Sequence, residues 1–219
     1  MMLMLWNWYQ NCLSAHPVKT QVISSGFLWG FGDIVAQSIT HSLSQKKLPL
    51  SVENEELKVD WKRVAITSMF GVGFVGPIGH FWYEGLDRFM TLRLQLQPKS
   101  LQFVGTKVAM DTLIFGPVHL LVFLSYMGFS SGKSASQVKE IVKRDFFPAF
   151  TVEGGVWPLA QAVNFRFVPV RYQLLYVNLF CLLDSAFLSW MEQQKDAAWK
   201  KQWLTAFTPH SKKQERRAR

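Results

Sequence analysis

The chain has 219 residues, of which 49% are apolar and 18% charged, and its mean hydropathy of +0.07 would suit a soluble domain. Its charges, however, are segregated. Five stretches are almost free of charge: residues 20–45, 64–83, 112–132, 146–165 and 172–191. They contain only Asp33, Glu153 and Asp184 as charged residues. This segregation excludes a disordered chain and an ordinary soluble domain, whose helices carry charge along a polar face.

Each stretch is long enough to cross a bilayer core, which takes about 20 mostly apolar residues. The sequence therefore predicts an all-α, polytopic transmembrane helical bundle of four to five spans with Gly/Pro-kinked helices. We expect residues 1–191 to form this single membrane-embedded bundle. Residues 192–219 are expected to form a basic C-terminal tail that is partly interfacial or disordered.

The formal net charge of +9 does not indicate nucleic-acid binding. Basic residues between 46 and 63 alternate with acidic ones, and only the tail from residue 195 is strongly basic. Such clusters flank membrane spans and contact anionic headgroups. Cys12 and Cys181 are too few for a disulfide framework or a metal site. The N-terminus lacks the charged, apolar and small segments of a cleavable secretory signal.

The first span is predicted over residues 18–40, after a short aromatic segment suited to the headgroup level. Pro17 opens the helix, because proline is tolerated in the first turn. Gly26 and Gly30 have the spacing of small residues that lets a neighbouring helix approach closely.

The second span, residues 64–83, contains Gly71-Val-Gly-Phe-Val-Gly76, which matches the glycine pattern of dinucleotide-binding folds. That pattern requires a preceding strand and an acidic residue about twenty positions later. Here it lies within an uncharged span, so we interpret the glycines as a helix-packing face.

The third span, residues 101–126, repeats a feature of the second. Gly76-Pro77 precedes His80, and Gly116-Pro117 recurs forty residues later beside His119. The recurrence is either a weak internal repeat, as found in transport proteins, or two Gly-Pro kinks of separate origin. At each pair the sequence predicts a break in the helix that exposes backbone carbonyls.

The last two stretches differ in how well they suit a membrane span. Residues 146–165 are a doubtful span because they contain Pro148, Glu153 and Pro158, whereas residues 172–191 are a better one. The distribution of Lys and Arg between the two sides favours five crossings over four.

Polar residues inside the spans are the main functional candidates, because a carboxylate in a bilayer is costly unless it is paired or faces water. The candidates for a pore lining or a polar network are Asp33, Gln37, His80, Asp111, His119, Glu153, Gln161, Asn164 and Asp184. As interhelical glue, Asp111 would pair with Lys107 or an amide, and Asp33 would bond to the second or third span. Arg166 and Arg171 either contact an anion or headgroup or mark the membrane edge.

No motif indicates catalysis. The chain lacks the metal-ligand spacing of zinc proteases, a serine at a nucleophile elbow and a phosphate-binding loop. We therefore expect a protein that is not an enzyme and that uses no metal or cofactor. Its expected partners are the lipid bilayer and small polar solutes; a homo-oligomer is compatible with the sequence, and nucleic acid is not expected.

Four motifs occur in order along the chain. They are His16-Pro17 through Gly32-Asp33-x-x-Ala36-Gln37, Gly76-Pro77-x-x-His80-x-Trp82-Tyr83-x-x-Leu86-Asp87, Lys107-x-x-x-Asp111 with Pro117, and Trp157-Pro158-x-x-Gln161-x-x-Asn164-Phe165. Together they resemble the peroxisomal membrane 22-kDa protein family, which includes mitochondrial inner-membrane members of the Mpv type. The resemblance covers nearly the whole chain up to about Trp190.

This resemblance implies a multi-pass helical protein of the peroxisomal or mitochondrial inner membrane, usually described with four spans. Members are implicated in weakly selective channels, in control of reactive oxygen species and in maintaining mitochondrial DNA or nucleotide pools. The chain departs from the family in having Asp111-Thr112 instead of Asp-Gln, which removes an amide partner, and in a longer, more charged loop after the first span.

The resulting expectation is a small-metabolite or weakly selective channel that contributes to organelle homeostasis and reactive-oxygen control. Its pore would be lined from the first, second, third and fifth spans, and Asp33, Asp111 and Asp184 would give it a cation preference. The alternative is a non-conducting membrane scaffold or stress-response partner, in which the same acids hold the helices together.

Overall fold

The computed structural model describes the backbone of residues 2–45 and 58–193 and the side chains of residues 3–42 and 58–183. Within these ranges the structure is helical and contains no strand. The elements are α1 (Met2–Ala15), α2 (Pro17–Gln45), α3 (Trp61–Phe70), a first π turn (Gly71–Val75), α4 (Gly76–Leu92), α5 (Leu101–Met110), a second π turn (Asp111–Phe115), α6 (Gly116–Ser130), α7 (Ala135–Phe167) and α8 (Val170–Gln193). The predicted tail lies outside the described residues beyond Gln193.

Three continuous helical segments are long and apolar enough to cross a membrane, and α8 supplies a shorter apolar one. They are Pro17–Ser42, Trp61–Leu92 and Leu101–Ser130, with Val170–Leu183 as the shorter segment. We call Trp61–Leu92 the first rod and Leu101–Ser130 the second rod. Large apolar side chains face outward from them, as at Phe27, Phe81 and Leu113. Both findings confirm the predicted all-α membrane bundle.

Residues 146–165, the doubtful span, lie inside the 33-residue helix α7, which continues through its two prolines. α7 runs antiparallel to the second rod. Near one end Val138 packs against Gly128, and near the other Gln161 donates a hydrogen bond to Asp111. The helix therefore accompanies the second rod over about twenty residues, a length that matches a bilayer core. Five crossings remain a prediction that this geometry favours.

A π turn precedes each Gly-Pro pair. Proline has no N–H to donate, and its ring clashes with the carbonyl four residues earlier in an α-helix. The wider turn relieves this clash: the Gly76 N–H donates to the Gly71 carbonyl, and the Gly116 N–H donates to the Asp111 carbonyl. The two predicted breaks are therefore wrong, because each rod continues through its proline.

The two rods share the same order of elements. Each consists of a ten-residue α-helix, a five-residue π turn and an α-helix that begins with Gly-Pro, and the second follows the first at an offset of forty residues. The recurrence seen in the sequence thus has a structural counterpart. In both rods the wider turn accommodates the proline of the Gly-Pro pair.

The glycines of α2 and of the first rod form a tight helix interface. A Cβ on Gly26 would collide with the Val72 side chain and lie 3.3 Å from the Ser68 carbonyl oxygen. From the opposite side, a Cβ on Gly71 would lie 2.7 Å from the Ser25 carbonyl oxygen. The predicted packing face is confirmed, and its partner is the first rod.

This interface predicts that a substitution by alanine destabilises the protein at one glycine of the first π turn and is tolerated at another. Gly71→Ala should lower the temperature of unfolding in detergent, because its methyl group meets α2 backbone at Ser25 and Gly26; overpacking of this kind costs about 1–3 kcal/mol. Gly73→Ala is the matched control, since no atom lies within 4 Å of its Cβ position. Equal unfolding temperatures for the two variants would contradict the described packing.

Candidate functional site

A cavity of about 220 Å³ lies inside the bundle, between α2, the two rods, α7 and α8. Its wall includes the polar side chains of Tyr83, Asp111, Thr112, His119, Glu153 and Gln161. Four of the predicted candidates, contributed by the second rod and α7, therefore meet at one place. Because the outer surface of the bundle is apolar, this convergence of polar groups makes the cavity the candidate functional site.

Asp111 is held at the cavity wall by hydrogen bonds to both of its carboxylate oxygens. It begins the second π turn and is 7% exposed. Its Oδ1 accepts a hydrogen bond of 2.8 Å from the Trp82 indole N–H, and its Oδ2 accepts one of 2.6 Å from the Gln161 amide. The same Gln161 amide donates to the Tyr83 hydroxyl at 3.0 Å. Both carboxylate oxygens are thus oriented by neighbours on α4 and α7.

Lys107 has a partner other than the one predicted. Its fully buried Nζ lies 2.8 Å from Asp87 Oδ1 and donates to Gln173 Oε1 at 3.0 Å. The ammonium also lies 4.8 Å from the ring centre of Phe165 and 5.5 Å from that of Phe103. No direct Lys107–Asp111 hydrogen bond is among the contacts of the described residues. The predicted pair is therefore wrong; the alternative, an amide partner for Asp111, is confirmed at Gln161.

A chain of hydrogen bonds joins the buried lysine to the cavity. We call Asp87, Lys107, Gln173, Asn164, Gln161 and Asp111 the polar file. The Asn164 amide donates to the main-chain carbonyl of Gln173 at 3.3 Å and to Gln161 Oε1 at 2.9 Å. The file leads from Asp87, which is 33% exposed, through three α-helices to the cavity wall. It fixes α4, α5, α7 and α8 relative to one another around the site.

Asp33 and Gln37 lie elsewhere and do not line the cavity. Arg63 Nε lies 2.8 Å from Asp33 Oδ1, and the Gln37 amide donates to Asp33 Oδ2 at 2.8 Å. Gln37 also accepts a hydrogen bond from the Asp60 backbone N–H. We call Asp33, Gln37, Asp60 and Arg63 the clasp, because they join α2 to the start of α3. Asp33 thus bonds across to Arg63, one residue before the predicted second span, and it is not among the residues that line the cavity with Asp111.

The two candidate histidines have different surroundings. His80 is buried, and its Nδ1 lies 2.7 Å from Gln21 Oε1, which ties α4 to α2. His119 lines the cavity, with its ring centre 6.0 Å from that of Trp29 and 5.9 Å from that of Phe115. His80 therefore belongs to a polar network between helices, and His119 belongs to the site.

The two candidate arginines lie away from the cavity. Arg166 is exposed beside Phe167, and Arg171 donates a 2.9 Å hydrogen bond to Ser14 Oγ. Both flank the α7–α8 turn, so headgroup contact stays a prediction. The side chain of Asp184 lies outside the described residues, and its predicted role at the pore is not tested.

Several buried polar residues of the bundle are not among the residues predicted from the sequence. Gln21, Gln173 and Asn178 are each at most 4% exposed. Asn178 donates to Ser25 Oγ at 2.7 Å and accepts from the Trp29 indole N–H at 3.2 Å. An amide within an apolar helix is the signal that could have found them, since burial obliges it to bond across helices.

No metal site accompanies the cavity within the described part of the chain. Among the described side chains, those of residues 3–42 and 58–183, no three His, Cys, Asp or Glu converge in a manner that could hold an ion. The chemistry available at the site is thus that of two carboxylates, an imidazole, amides and aromatic rings.

Comparisons with known proteins follow the same motifs. Residues 128–189 match the sequence model of the Mpv17 / PMP22 family. The chain is 32% identical over 192 residues to PXMP2/4 family protein 2 of Dictyostelium discoideum, covering 88% of this chain and 93% of that protein. It is 33% identical over 187 residues to the human mitochondrial inner membrane protein Mpv17, covering 85% and 96%. It is 32% identical over 188 residues to protein SYM1 of Gibberella zeae, covering 85% and 97%. No solved structure matches.

The polar file predicts a specific pattern of stability. Lys107→Met should destabilise the protein by roughly 3 kcal/mol, the lower end for breaking a buried ion pair, because Asp87 keeps some solvent access. The double variant Lys107→Met with Asp87→Leu should recover part of that loss, since it leaves no uncompensated charge. Thermal unfolding in detergent measures both, and Lys139→Met on the exposed surface of α7 is the control. A double variant no more stable than Lys107→Met would contradict the pairing.

Proposed function

Because this chain belongs to the Mpv17/PMP22 family, we propose that it is a weakly selective channel for small polar metabolites in an organelle membrane. The observation that carries the proposal is the cavity inside the bundle, where Asp111 and Glu153 lie on the wall. The activity is passive passage and involves no catalysis. Exchange of metabolites is the means by which it would contribute to organelle homeostasis and reactive-oxygen control.

The relatives indicate the membrane. The human and Xenopus laevis relatives are named mitochondrial inner membrane proteins, which favours that location for this chain. The peroxisomal membrane is the alternative implied by the family resemblance. The apolar rods support integral insertion in either membrane.

The cavity supports passage because polar groups inside an apolar bundle favour water and polar solutes over lipid. Among its described lining residues, Asp111 and Glu153 bear negative charge and none is Lys or Arg. We therefore assign the cation preference to these two acids. Asp33, which the sequence suggested for this role, is neutralised by Arg63 in the clasp.

A second function is favoured by the bonds that Asp111 and Asp33 make to neighbouring helices. Both oxygens of Asp111 accept hydrogen bonds from neighbouring helices, and Asp33 is held by Arg63 and Gln37. Acids bound in this way stabilise a helix bundle whether or not it conducts. A non-conducting scaffold or stress-response partner is the alternative on these grounds.

Reconstitution into planar bilayers tests the channel. We expect conductance with a cation-over-anion preference that falls in Glu153→Gln, because this change removes one of the two negative charges at the cavity. Glu140→Gln is the matched control, since Glu140 lies on the same helix but is exposed. An unchanged ion preference in Glu153→Gln would contradict the assignment. Bilayers that remain silent across a range of protein amounts would overturn the channel and favour the scaffold.

A further inference from the structure

The wall of the cavity is rich in aromatic rings. They belong to Trp29, Tyr83, Phe115, Phe123, Phe150 and Trp157. These residues come from five elements: α2, α4, the second π turn, α6 and α7. Aromatic faces carry negative quadrupole charge and attract organic cations within about 6 Å of the ring centre. Small inorganic cations such as Ca²⁺ and Mg²⁺ instead require several oxygen ligands.

The charges at the cavity have the sign that a cation requires. Asp111 and Glu153 lie on its wall. None of the described lining residues is Lys or Arg, and the buried Lys107 is paired with Asp87 at 2.8 Å. An aromatic wall with two carboxylates offers a positively charged guest both dispersion contacts and charge compensation.

The protein itself already contains one ammonium group in such surroundings. The Lys107 Nζ is fully buried, lies close to the rings of Phe103 and Phe165, and is compensated by a carboxylate and an amide oxygen. This arrangement demonstrates that the bundle can hold a desolvated ammonium with aromatic faces and an acid. The cavity presents the same combination to a molecule from outside.

The cavity has room for a small organic ion. Its volume of about 220 Å³ exceeds the roughly 150 Å³ of a protein cavity that can hold benzene. A compact alkylammonium ion therefore fits.

We propose that the cavity is a binding site for small organic ammonium ions, with the aromatic rings contacting the alkyl groups and Asp111 and Glu153 compensating the charge. This inference rests on the proposed function and names its substrate class.

The first test compares two ligands that have the same shape but different charge. Choline and its neutral isostere 3,3-dimethylbutan-1-ol are titrated by calorimetry into the full chain in lipid nanodiscs. We expect saturable choline binding at one site per chain and at least about tenfold weaker binding of the neutral alcohol. Equal affinity for both, or no saturable choline binding, would overturn the proposal. The comparison uses the unaltered chain and therefore does not depend on how a variant folds.

The second test separates the aromatic faces from simple apolar contact. Phe150→Leu retains an apolar side chain at the wall but removes a ring, and it should weaken choline binding roughly three- to thirtyfold. Phe147→Leu, on the same helix with its ring 73% exposed, is the control and should leave binding unchanged. Equal choline affinity in the two variants, each checked for an unaltered elution profile, would contradict a role for the rings.

Conductance measured on the same preparations distinguishes this inference from the proposed function. Choline binding by a protein that does not conduct would support the site and overturn the channel. Conductance without saturable choline binding would overturn the site and leave the channel in place.

Discussion

The buried ammonium of Lys107 must find all its partners inside the bundle, because lipid supplies none and no part of the side chain reaches solvent. Asp87 provides the negative charge, Gln173 provides an acceptor oxygen, and the rings of two phenylalanines lie next to the ammonium group. These partners come from three other helices, so satisfying one cation fixes the positions of α4, α5, α7 and α8. The polar file extends this constraint to Asp111. The packing around Lys107 therefore also fixes the position of this part of the cavity wall.

The prolines supply a second constraint, which acts within each rod. A π turn before each Gly-Pro pair keeps the helix continuous and places Asp111 at the start of the second turn. In the first rod the corresponding position is Gly71, whose missing side chain lets α2 approach. The same π turn therefore allows close helix packing in the first rod and orients a carboxylate in the second rod. Pi turns are frequent at functional sites, and here the second one contributes directly to the cavity.

Asp33 differs from Asp111 and Glu153 in its place in the bundle. Asp33 is matched by Arg63 within the clasp, and its charge is compensated where α2 meets α3. Asp111 and Glu153 instead lie on the wall of a cavity whose other described residues are mainly aromatic or aliphatic. Under the proposed function the acids at the cavity meet the solute, whereas Asp33 joins two helices. Lys107 is the converse case, because it is a buried cation of the protein whose charge is compensated by an acid.

The amino-acid sequence alone determined the all-α class, the three long apolar segments, the packing role of Gly26 and Gly71, and the family motifs. These follow from hydropathy, spacing and residue type, which are local properties. The tertiary structure decided which polar groups meet. Lys107 and Asp111 are one turn apart, yet they take different partners, because Asp87, Trp82 and Gln161 reach them from other helices. Asp33 and Asp111 look alike in sequence, but only the folded bundle places one in a clasp and the other at a cavity. Pairing depends on distances between residues far apart in the chain, and no local pattern contains them.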